Sequence, residues 1–286
     1  MKRMFYKRRI NRSTGADLVI FLFLAGGAAF TALPLVFAVS SAFKPLNELF
    51  LFPPQFFVRN PTLQNFSDLF MLMRQSWIPM SRYITNSLII VIGGMAGNLF
   101  FGSLAAYALS KHRFFGRGFI NTMIVLSLMF APAVVRIPNY LTIAWLGWID
   151  TYWAVIVPAW ASTLGLYLLK NFMDAMVDES LLESARLDGA SEFLIYRKIV
   201  MPIVKPAWLT LIILTFQQLW GVTGGEFIYT ENYKTLPYAI DQIVRGGIAR
   251  QGVAAAAALI MMGVPIVVFI INQSKIVETM GTSGIK

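Results

Sequence analysis

Residues 180–206 read SLLESARLDGASEFLIYRKIVMPIVKP, and this stretch differs from the rest of the chain. It holds carboxylates, arginines and lysines around a single glycine, Gly189, and its second half contains Pro202 and Pro206. The segments on both sides are apolar and have about the length that a helix needs to cross a bilayer. The sequence therefore predicts a charged, helix-forming insert between two membrane spans.

The composition of the whole chain is that of an integral membrane protein. Of the 286 residues, 57% are hydrophobic and 13% are charged, and the mean hydropathy is +0.64. Soluble globular domains hold roughly 45–50% apolar and about 25% charged residues. The chain has no cysteine, which excludes disulfides and thiolate metal sites.

Six apolar runs are predicted to be transmembrane helices, because a spanning backbone in lipid must satisfy its own hydrogen bonds. The predicted spans are residues 18–43, 84–110, 119–143, 151–170, 207–224 and 252–272. The first run follows a basic leader but exceeds the length of a signal-peptide core, so it is predicted to be a retained anchor. We therefore predict an all-α integral membrane fold, with one six-span domain over residues 18–272.

Lysine and arginine positions predict the orientation in the membrane. Segments 1–17, 171–206 and 273–286, with the connection near residues 111–117, hold most of the 24 basic residues. Because basic residues are retained on the cytoplasmic side, both termini and the charged insert are predicted to be cytoplasmic. The net charge of +10 then favours contact with anionic lipid headgroups over nucleic acid.

The connection between the first two predicted spans, residues 44–83, is then external. It is rich in proline and aromatic residues, which indicates an ordered cap and not a flexible linker. Within it, PTLQNFSDLF predicts a short amphipathic helix with Thr62 as the N-cap.

The first half of the charged insert predicts a helix with two faces. Leu182, Ala185 and Leu187 approximate an apolar stripe. Glu183 lies three residues before Arg186, a spacing that allows an ion pair within the helix.

The second half predicts a turn and a second helix. Gly189 is suited to the left-handed conformation that commonly closes a helix. Ser191 is then a natural N-cap, and Pro202 is expected to end the helix or mark the entry to the next span. Such a hairpin either rests on lipid headgroups as an amphipathic linker or binds a protein partner. Its mixture of acidic and basic side chains favours the protein partner.

The same stretch resembles the EAA motif of ABC-importer permeases, which consists of E-A-A, a D-G pair and a later I-x-x-P. The matching positions are Glu183, Ser184, Ala185, Asp188, Gly189, Ile199 and Pro202, with Ser184 replacing the second motif residue. Residues 40–66 and 86–117 also resemble carbohydrate importers of the maltose type. The resemblance therefore covers nearly the whole chain.

This resemblance implies a permease subunit that pairs with a second, related permease and forms the path for an oligosaccharide. It further implies two cytoplasmic ATPase subunits, which bind ATP and magnesium, and an extracytoplasmic binding protein. The hairpin would be the coupling helix that sits in a cleft of the ATPase. Glu183 would face the ATPase, Ala185 would allow close approach, and Gly189 would set the turn. Alternatives are a permease for another polar solute, such as a glycerophosphodiester or polyol, or a stand-alone channel or secondary transporter.

Polar side chains inside the predicted spans are candidates for contact with the cargo, because they normally face the bundle interior or a watery path. These candidates are Asn98, Arg136, Asn139, Gln217 and Gln218. Trp220, about one helical turn from Gln217, is a further candidate because its ring could stack on the face of a sugar. Hydrogen bonding between helices is the alternative for the two glutamines, and contact with lipid headgroups is the alternative for Arg136.

Catalytic chemistry is not predicted for this chain. A G-x-x-x-x-G-K-[ST] loop is absent from the sequence, and so is a nucleophile–base arrangement. The one histidine, His112, lies in a basic connection, where a solvated loop histidine is favoured over a metal or catalytic site. We therefore expect no enzyme activity, no metal and no cofactor on this chain.

Overall fold

The computed structural model describes residues 14–74 and 78–283, and it describes side chains for residues 15–74 and 78–271 apart from Pro132 and Ile248. Residues 1–13 of the predicted cytoplasmic segment and 284–286 of the predicted tail lie outside this part. The described residues form helices and loops without a β-strand. The helices are α1 (Thr14–Phe43), α2 (Leu46–Leu49), α3 (Gln64–Arg74), α4 (Met80–Lys111), α5 (Arg117–Ser127), α6 (Pro132–Trp145), α7 (Trp153–Trp160), α8 (Thr163–Met176), α9 (Glu179–Leu187), α10 (Glu192–Ile195), α11 (Met201–Ile203), α12 (Lys205–Trp220), α13 (Leu236–Val244) and α14 (Gln251–Ser283).

The all-α membrane fold is confirmed, whereas the count of six spans is not. Within the described part, four helical segments are long and apolar enough to cross a membrane: Gly15–Phe43, Met80–Lys111, Trp153–Met176 and Gln251–Ile271. A fifth candidate is a pair, Glu192–Ile203 and Lys205–Trp220, bent by 80°. By length and composition these are four spans, or five with the bent pair.

The third predicted span, 119–143, is divided between α5 and α6. Ala131 has extended backbone angles, φ −66° and ψ 137°, and Pro132 begins α6. A residue before proline is pushed out of the helical region by the proline ring, so the chain breaks there. Neither α5 nor α6, at 11 and 14 residues, reaches the length of a full span.

The described chain divides into two compact units, and each is considered by itself. The smaller unit contains residues up to Leu69 together with Gly247–Leu259. The buried side chain of Asn65 on α3 ties this helix to the end of α1 and the residue that follows it. Its Nδ2 donates to the carbonyls of Ala42 and Lys44 at 2.9 and 2.8 Å. Thr62 was predicted as the N-cap of this helix but lies one residue earlier, because Leu63 directly precedes α3. Its Oγ1 still accepts from the N–H of Gln64, the first helical residue, at 3.1 Å.

In the larger unit, α4 is the central helix and packs against α7, α8 and α12. Small residues on α4 allow this close packing. The indole of Trp160 lies against Gly97 and donates from Nε1 to the Gly93 carbonyl at 2.9 Å. The side chain of Leu219 on α12 occupies the space beside Gly94.

The connections of the larger unit gather at the two ends of α4. At one end, Ser110 Oγ donates to Asp174 Oδ1 and Lys111 Nζ donates to the Val177 carbonyl, both at 2.6 Å. We call this the hairpin end. At the opposite end, Asn86 Nδ2 donates to the carbonyls of Asn232 and Lys234, both at 2.8 Å. The connections before α9 and after α12 therefore lie at different ends of the central helix.

Replacing Gly97 by alanine is expected to destabilise the packing of α4 on α7. A methyl group at this position would overlap the Trp160 ring, and overpacking of this kind costs about 1–3 kcal/mol. The apparent midpoint of thermal aggregation in detergent, followed by size-exclusion chromatography, should fall. Gly102→Ala is the matched control, because the nearest atoms to its new methyl lie at 3.8 and 3.9 Å. Equal midpoints for the two variants would contradict this account.

Candidate functional site

The first helix of the hairpin, α9, buries one side chain of the predicted stripe and exposes another. Leu182 is fully buried, and Ala185 is partly buried against the same core cluster. Leu187, in contrast, is 89% exposed, so the prediction that it shares one apolar stripe with Leu182 was wrong. Five residues along a helix of 3.6 residues per turn carry Leu187 about 140° past Leu182.

The turn after α9 has the geometry predicted from its glycine. Gly189 has φ +79° and open space around it. The Ala190 N–H donates to the Ala185 carbonyl, and the Gly189 N–H donates to the Arg186 carbonyl, both at 3.0 Å. This is the pair of bonds that closes a helix at a left-handed residue in the Schellman motif.

The second helix begins at the predicted cap and packs into the core. Ser191 Oγ accepts from Leu194 N at 3.4 Å before α10. A π-helical segment, Tyr196–Val200, and then α11 continue the chain to the bend at Val204. Ile195, Val200 and Val204 are fully buried. The inner face of the hairpin is therefore continuous with the core that α4, α8 and α12 form.

The Glu192 carboxylate joins both hairpin helices to α4, an arrangement that we call the Glu192 node. Its Oε1 accepts from Arg186 Nε and its Oε2 from Tyr107 OH, each at 2.7 Å. His112 Nε2 lies 3.4 Å from Oε2. The hydrogen bond to this carboxylate raises the pKa of Arg186, so the guanidinium stays charged. Arg186 thus pairs across the turn and not with Glu183, which corrects the ion pair expected within α9.

A buried contact beside the node reinforces it. The hydroxyls of Ser103 and Tyr196 lie 2.7 Å apart, and the rings of Tyr107 and Tyr196 are 5.7 Å apart. The sequence analysis missed Glu192, Tyr107 and Tyr196. Their signal was available only in part: Glu192 follows Arg186 by six residues across a predicted turn, but nothing in the sequence places either beside Tyr107.

The outer face of the hairpin carries the motif residues and an apolar edge. Glu183, Ser184, Asp188 and Gly189 are exposed, as is Pro202 further along. Beside them, Leu187, Phe193 and Leu194 are 89%, 57% and 42% exposed. The hairpin is thus fixed on its inner face and presents carboxylates with apolar side chains outward, which suits a protein surface.

Two of the predicted cargo-path residues take part in helix packing. Asn98 is buried, and its Nδ2 donates to the Ala159 carbonyl at 2.6 Å. Trp220 is also buried: its Nε1 donates to the Met261 carbonyl at 3.0 Å, and its ring stacks on Phe216 with centroids 5.7 Å apart. Both side chains therefore use their polar groups within the larger unit.

The other cargo-path residues are exposed. Gln217, Gln218 and Asn139 are exposed, and Gln218 lines a cavity of about 410 Å³ together with the 221–227 segment. Arg136 forms an ion pair with Glu226, a residue that the sequence analysis did not single out. One indication of Glu226 was present in the sequence: it is an acidic residue directly after two glycines at the predicted end of a span. Among the described residues, no three histidine or acidic side chains are grouped as a metal site would require.

The chain is similar in sequence to known transport proteins. Residues 18–276 match the family described as "Binding-protein-dependent transport system inner membrane component". The protein LplC of Bacillus subtilis (strain 168) is 32% identical over 226 residues, which cover 77% of this chain and 72% of LplC. The galactooligosaccharides transport system permease protein GanQ of the same organism is 27% identical over 274 residues, covering 94% and 95% of the two chains.

Two solved structures are similar in fold. A chain of a bacterial ABC transporter involved in the import of the acidic polysaccharide alginate has a TM-score of 0.76 and 20% identity, with 93% of this chain and 99% of that chain covered. A chain of a bacterial alginate ABC transporter in complex with an alginate pentasaccharide-bound periplasmic protein has a TM-score of 0.62 and 16% identity, with 90% and 93% covered. At these identities the likeness shows a shared fold.

Glu192→Ala is expected to loosen the hairpin without unfolding the spans. Amide hydrogen exchange over residues 179–195 should become roughly fivefold faster, the factor that corresponds to about 1 kcal/mol of lost hydrogen bonding. Glu183→Ala is the control, because it removes an exposed carboxylate of the same hairpin outside the node. The node would have no ordering role if both variants exchanged at the wild-type rate.

Proposed function

The chain belongs to the family of binding-protein-dependent transport system inner membrane components, and we propose that the cargo of this permease is an oligosaccharide. As a member of that family it is a multi-pass membrane permease of an ABC importer, as the predicted resemblance to ABC-importer permeases implied. The carbohydrate assignment is supported by the name of GanQ, which aligns over nearly the whole of both chains.

The hairpin is the proposed coupling element between this permease and an ATPase subunit. One observation carries this assignment: the inner face of the hairpin is bonded to α4 through the Glu192 node, while its outer face is exposed. A displacement of the outer face then moves the bundle as a rigid body instead of bending a loose loop. In this role Glu183, Ser184, Ala185 and Asp188 contact the ATPase or allow its approach, Gly189 sets the turn, and Pro202 lies near the bend into α12.

Apolar surfaces that the chain leaves uncovered support the proposed second permease. The most apolar part of the Gly15–Phe43 helix has none of its residues buried, and α5 has none buried either. A second permease and membrane lipid would cover these apolar faces. An extracytoplasmic binding protein would deliver the cargo, and two ATPase subunits would complete the importer.

The chemistry of ATP hydrolysis is assigned to the partner subunits. ATP and magnesium would bind there, and this chain would act as a conformational transmitter without a catalytic residue of its own. The hairpin end is then cytoplasmic, with both termini on the same side, and the opposite end of α4 faces the extracytoplasmic space.

The turn at Gly189 provides one test of coupling. Gly189→Ala forces a residue with a Cβ into φ +79°, at a cost of about 1–2 kcal/mol. In the reconstituted importer, ATP hydrolysis should lose at least half of its stimulation by the loaded binding protein.

Gly116→Ala is the matched control for this test. Gly116 has φ +87° and the same open surroundings, but lies outside the hairpin. It should carry the same backbone strain and keep normal stimulation. Equal loss of stimulation in both variants would show that strain alone, and not the hairpin, is responsible.

Glu183 provides a second test, directed at the outer face. Glu183→Lys reverses an exposed charge that the fold does not use, so assembly of the spans should be unchanged. Uptake per ATP hydrolysed should fall several-fold, because the reversed charge meets the ATPase surface that the glutamate fits. Ser180→Lys, which adds a positive charge at an exposed position of the same helix outside the motif, is the control. Wild-type uptake in the Glu183 variant at wild-type expression would contradict the assignment.

A further inference from the structure

A cluster of polar and aromatic side chains at the opposite end of the bundle has no part in coupling. It consists of Arg136 and Tyr140 on α6 and Glu226 and Tyr229 on the segment after α12, and we call it the α6 cluster. Arg136 and Glu226 form an ion pair with side chains 67% and 47% exposed. The hydroxyls of Tyr140 and Tyr229 lie 3.3 Å apart. Arg136 is the one charged residue in the sequence of α6, and such a residue in an apolar segment marks a watery or protein-lined face.

Two neighbouring cavities meet at this cluster. One has a volume of about 630 Å³ and is lined by Arg136, Tyr140, Gly225 and Glu226, among others. The other, of about 410 Å³, is lined by Gln218, Phe227 and again Gly225 and Glu226. Both volumes lie within the range of roughly 300–1,000 Å³ that is typical of small-molecule sites. Glu226 thus reaches both spaces, and Gln218, predicted as a cargo contact, lies in the second.

The segment that carries Glu226 is held in a defined position. Asp150 Oδ1 accepts from the backbone N–H groups of Tyr229 and Thr230 at 2.9 and 2.8 Å, and the Asp150 N–H donates to the Phe227 carbonyl at 2.7 Å. The Thr230 hydroxyl, followed by these backbone bonds, lowers the pKa of Asp150, so the carboxylate is charged. Rigid presentation of binding groups reduces the entropy lost when a ligand binds.

The positive charge of Arg136 and the negative charge of Glu226 cancel within the ion pair. The cluster therefore favours an uncharged ligand over a charged one. A sugar hydroxyl both donates and accepts hydrogen bonds, so neighbouring hydroxyls bind a carboxylate and a guanidinium at once. An ionised carboxylate only accepts, so a uronic acid would bind Arg136 while its charge was repelled by Glu226. The ion pair joins Nη2 of Arg136 to Oε1 of Glu226. The other guanidinium N–H groups offer further donors to a sugar hydroxyl, and the second carboxylate oxygen offers a further acceptor.

We propose that the α6 cluster, with Gln218, is a cargo-binding subsite for an uncharged, hydroxyl-bearing glycosyl unit, and that Glu226 selects against uronic acids. This inference rests on the proposed oligosaccharide function and adds the charge of the cargo. Arg136 and Tyr140 orient the ring by hydrogen bonds, and Phe227 supplies an apolar wall in the smaller cavity.

The test uses the complete importer in lipid nanodiscs, without its binding protein, so that upstream selection does not operate. Saturation-transfer difference NMR compares galactotriose with trigalacturonate at equal concentration. The wild-type complex should give the stronger signal with galactotriose. Glu226→Gln should raise the ratio of trigalacturonate to galactotriose signal about fivefold, the effect of removing one like charge a few ångströms away in water. Arg136→Gln should lower that ratio.

Asp241→Asn is the matched control, because Asp241 forms a comparable exposed ion pair with Arg245 on α13 and lies outside both cavities. Its signal ratio should equal that of the wild type. The inference is overturned if the wild type prefers trigalacturonate, gives no signal with either sugar, or keeps its ratio in Glu226→Gln. Stimulation of ATP hydrolysis by the loaded binding protein is measured on the same nanodiscs. If the loaded binding protein does not stimulate ATP hydrolysis by the wild-type complex, the proposed function is contradicted. If stimulation is normal but the signal ratio of Glu226→Gln equals that of the wild type, only the subsite is contradicted.

Discussion

The contact between the hairpin and α4 is the interaction on which the mechanical account depends. Glu192 accepts hydrogen bonds from Arg186 on the first hairpin helix and from Tyr107 on α4, both at 2.7 Å. Below this polar contact, Leu182 and Ile195 are fully buried in the core that they share with α8 and α12. If the hairpin were not bonded to α4, a partner that displaced it would bend the connecting chain and leave α4 in place. Because it is bonded, the position of the hairpin and the position of α4 change together.

The two ends of α4 are built for different tasks. At the hairpin end, the polar groups bind one another across the hairpin and leave its outer face for a partner. At the opposite end, Asn86 and Asp150 fix the segments around residues 226–234 by hydrogen bonds to the backbone. That fixed segment holds Glu226 beside Arg136. The same central helix therefore connects a surface suited to protein contact with a cluster suited to a polar ligand.

Local features were predictable from the sequence, because they depend on neighbouring residues. The left-handed conformation of Gly189 and the cap at Ser191 follow from the backbone chemistry of those residue types. The break before Pro132 is also a local effect, but a hydropathy pattern averages over it, so 119–143 was predicted as one span. Leu187 was misplaced because an approximate stripe ignores the rotation accumulated over five residues.

Contacts between distant segments could not be predicted in this way. Tyr107 and Glu192 are 85 residues apart, and Arg136 and Glu226 belong to segments that only the fold brings together. Trp220 illustrates the converse: its residue type suits a sugar ring, but the fold uses its N–H and its ring face for packing. Polar residues in apolar segments identify where to look, and the three-dimensional arrangement decides which of them remain available to a ligand.

The central claim, that the hairpin docks on an ATPase, is tested most directly by photo-crosslinking in native membranes. A photoreactive amino acid at Ser184, on the exposed face of α9, is compared with one at Thr230, exposed at the opposite end. The account predicts that the Ser184 probe forms an adduct with an ATPase subunit and the Thr230 probe does not. Adducts of the Ser184 probe with lipid alone, in membranes where the ATPase co-purifies with the tagged chain, would contradict it and would make the hairpin a membrane-surface linker.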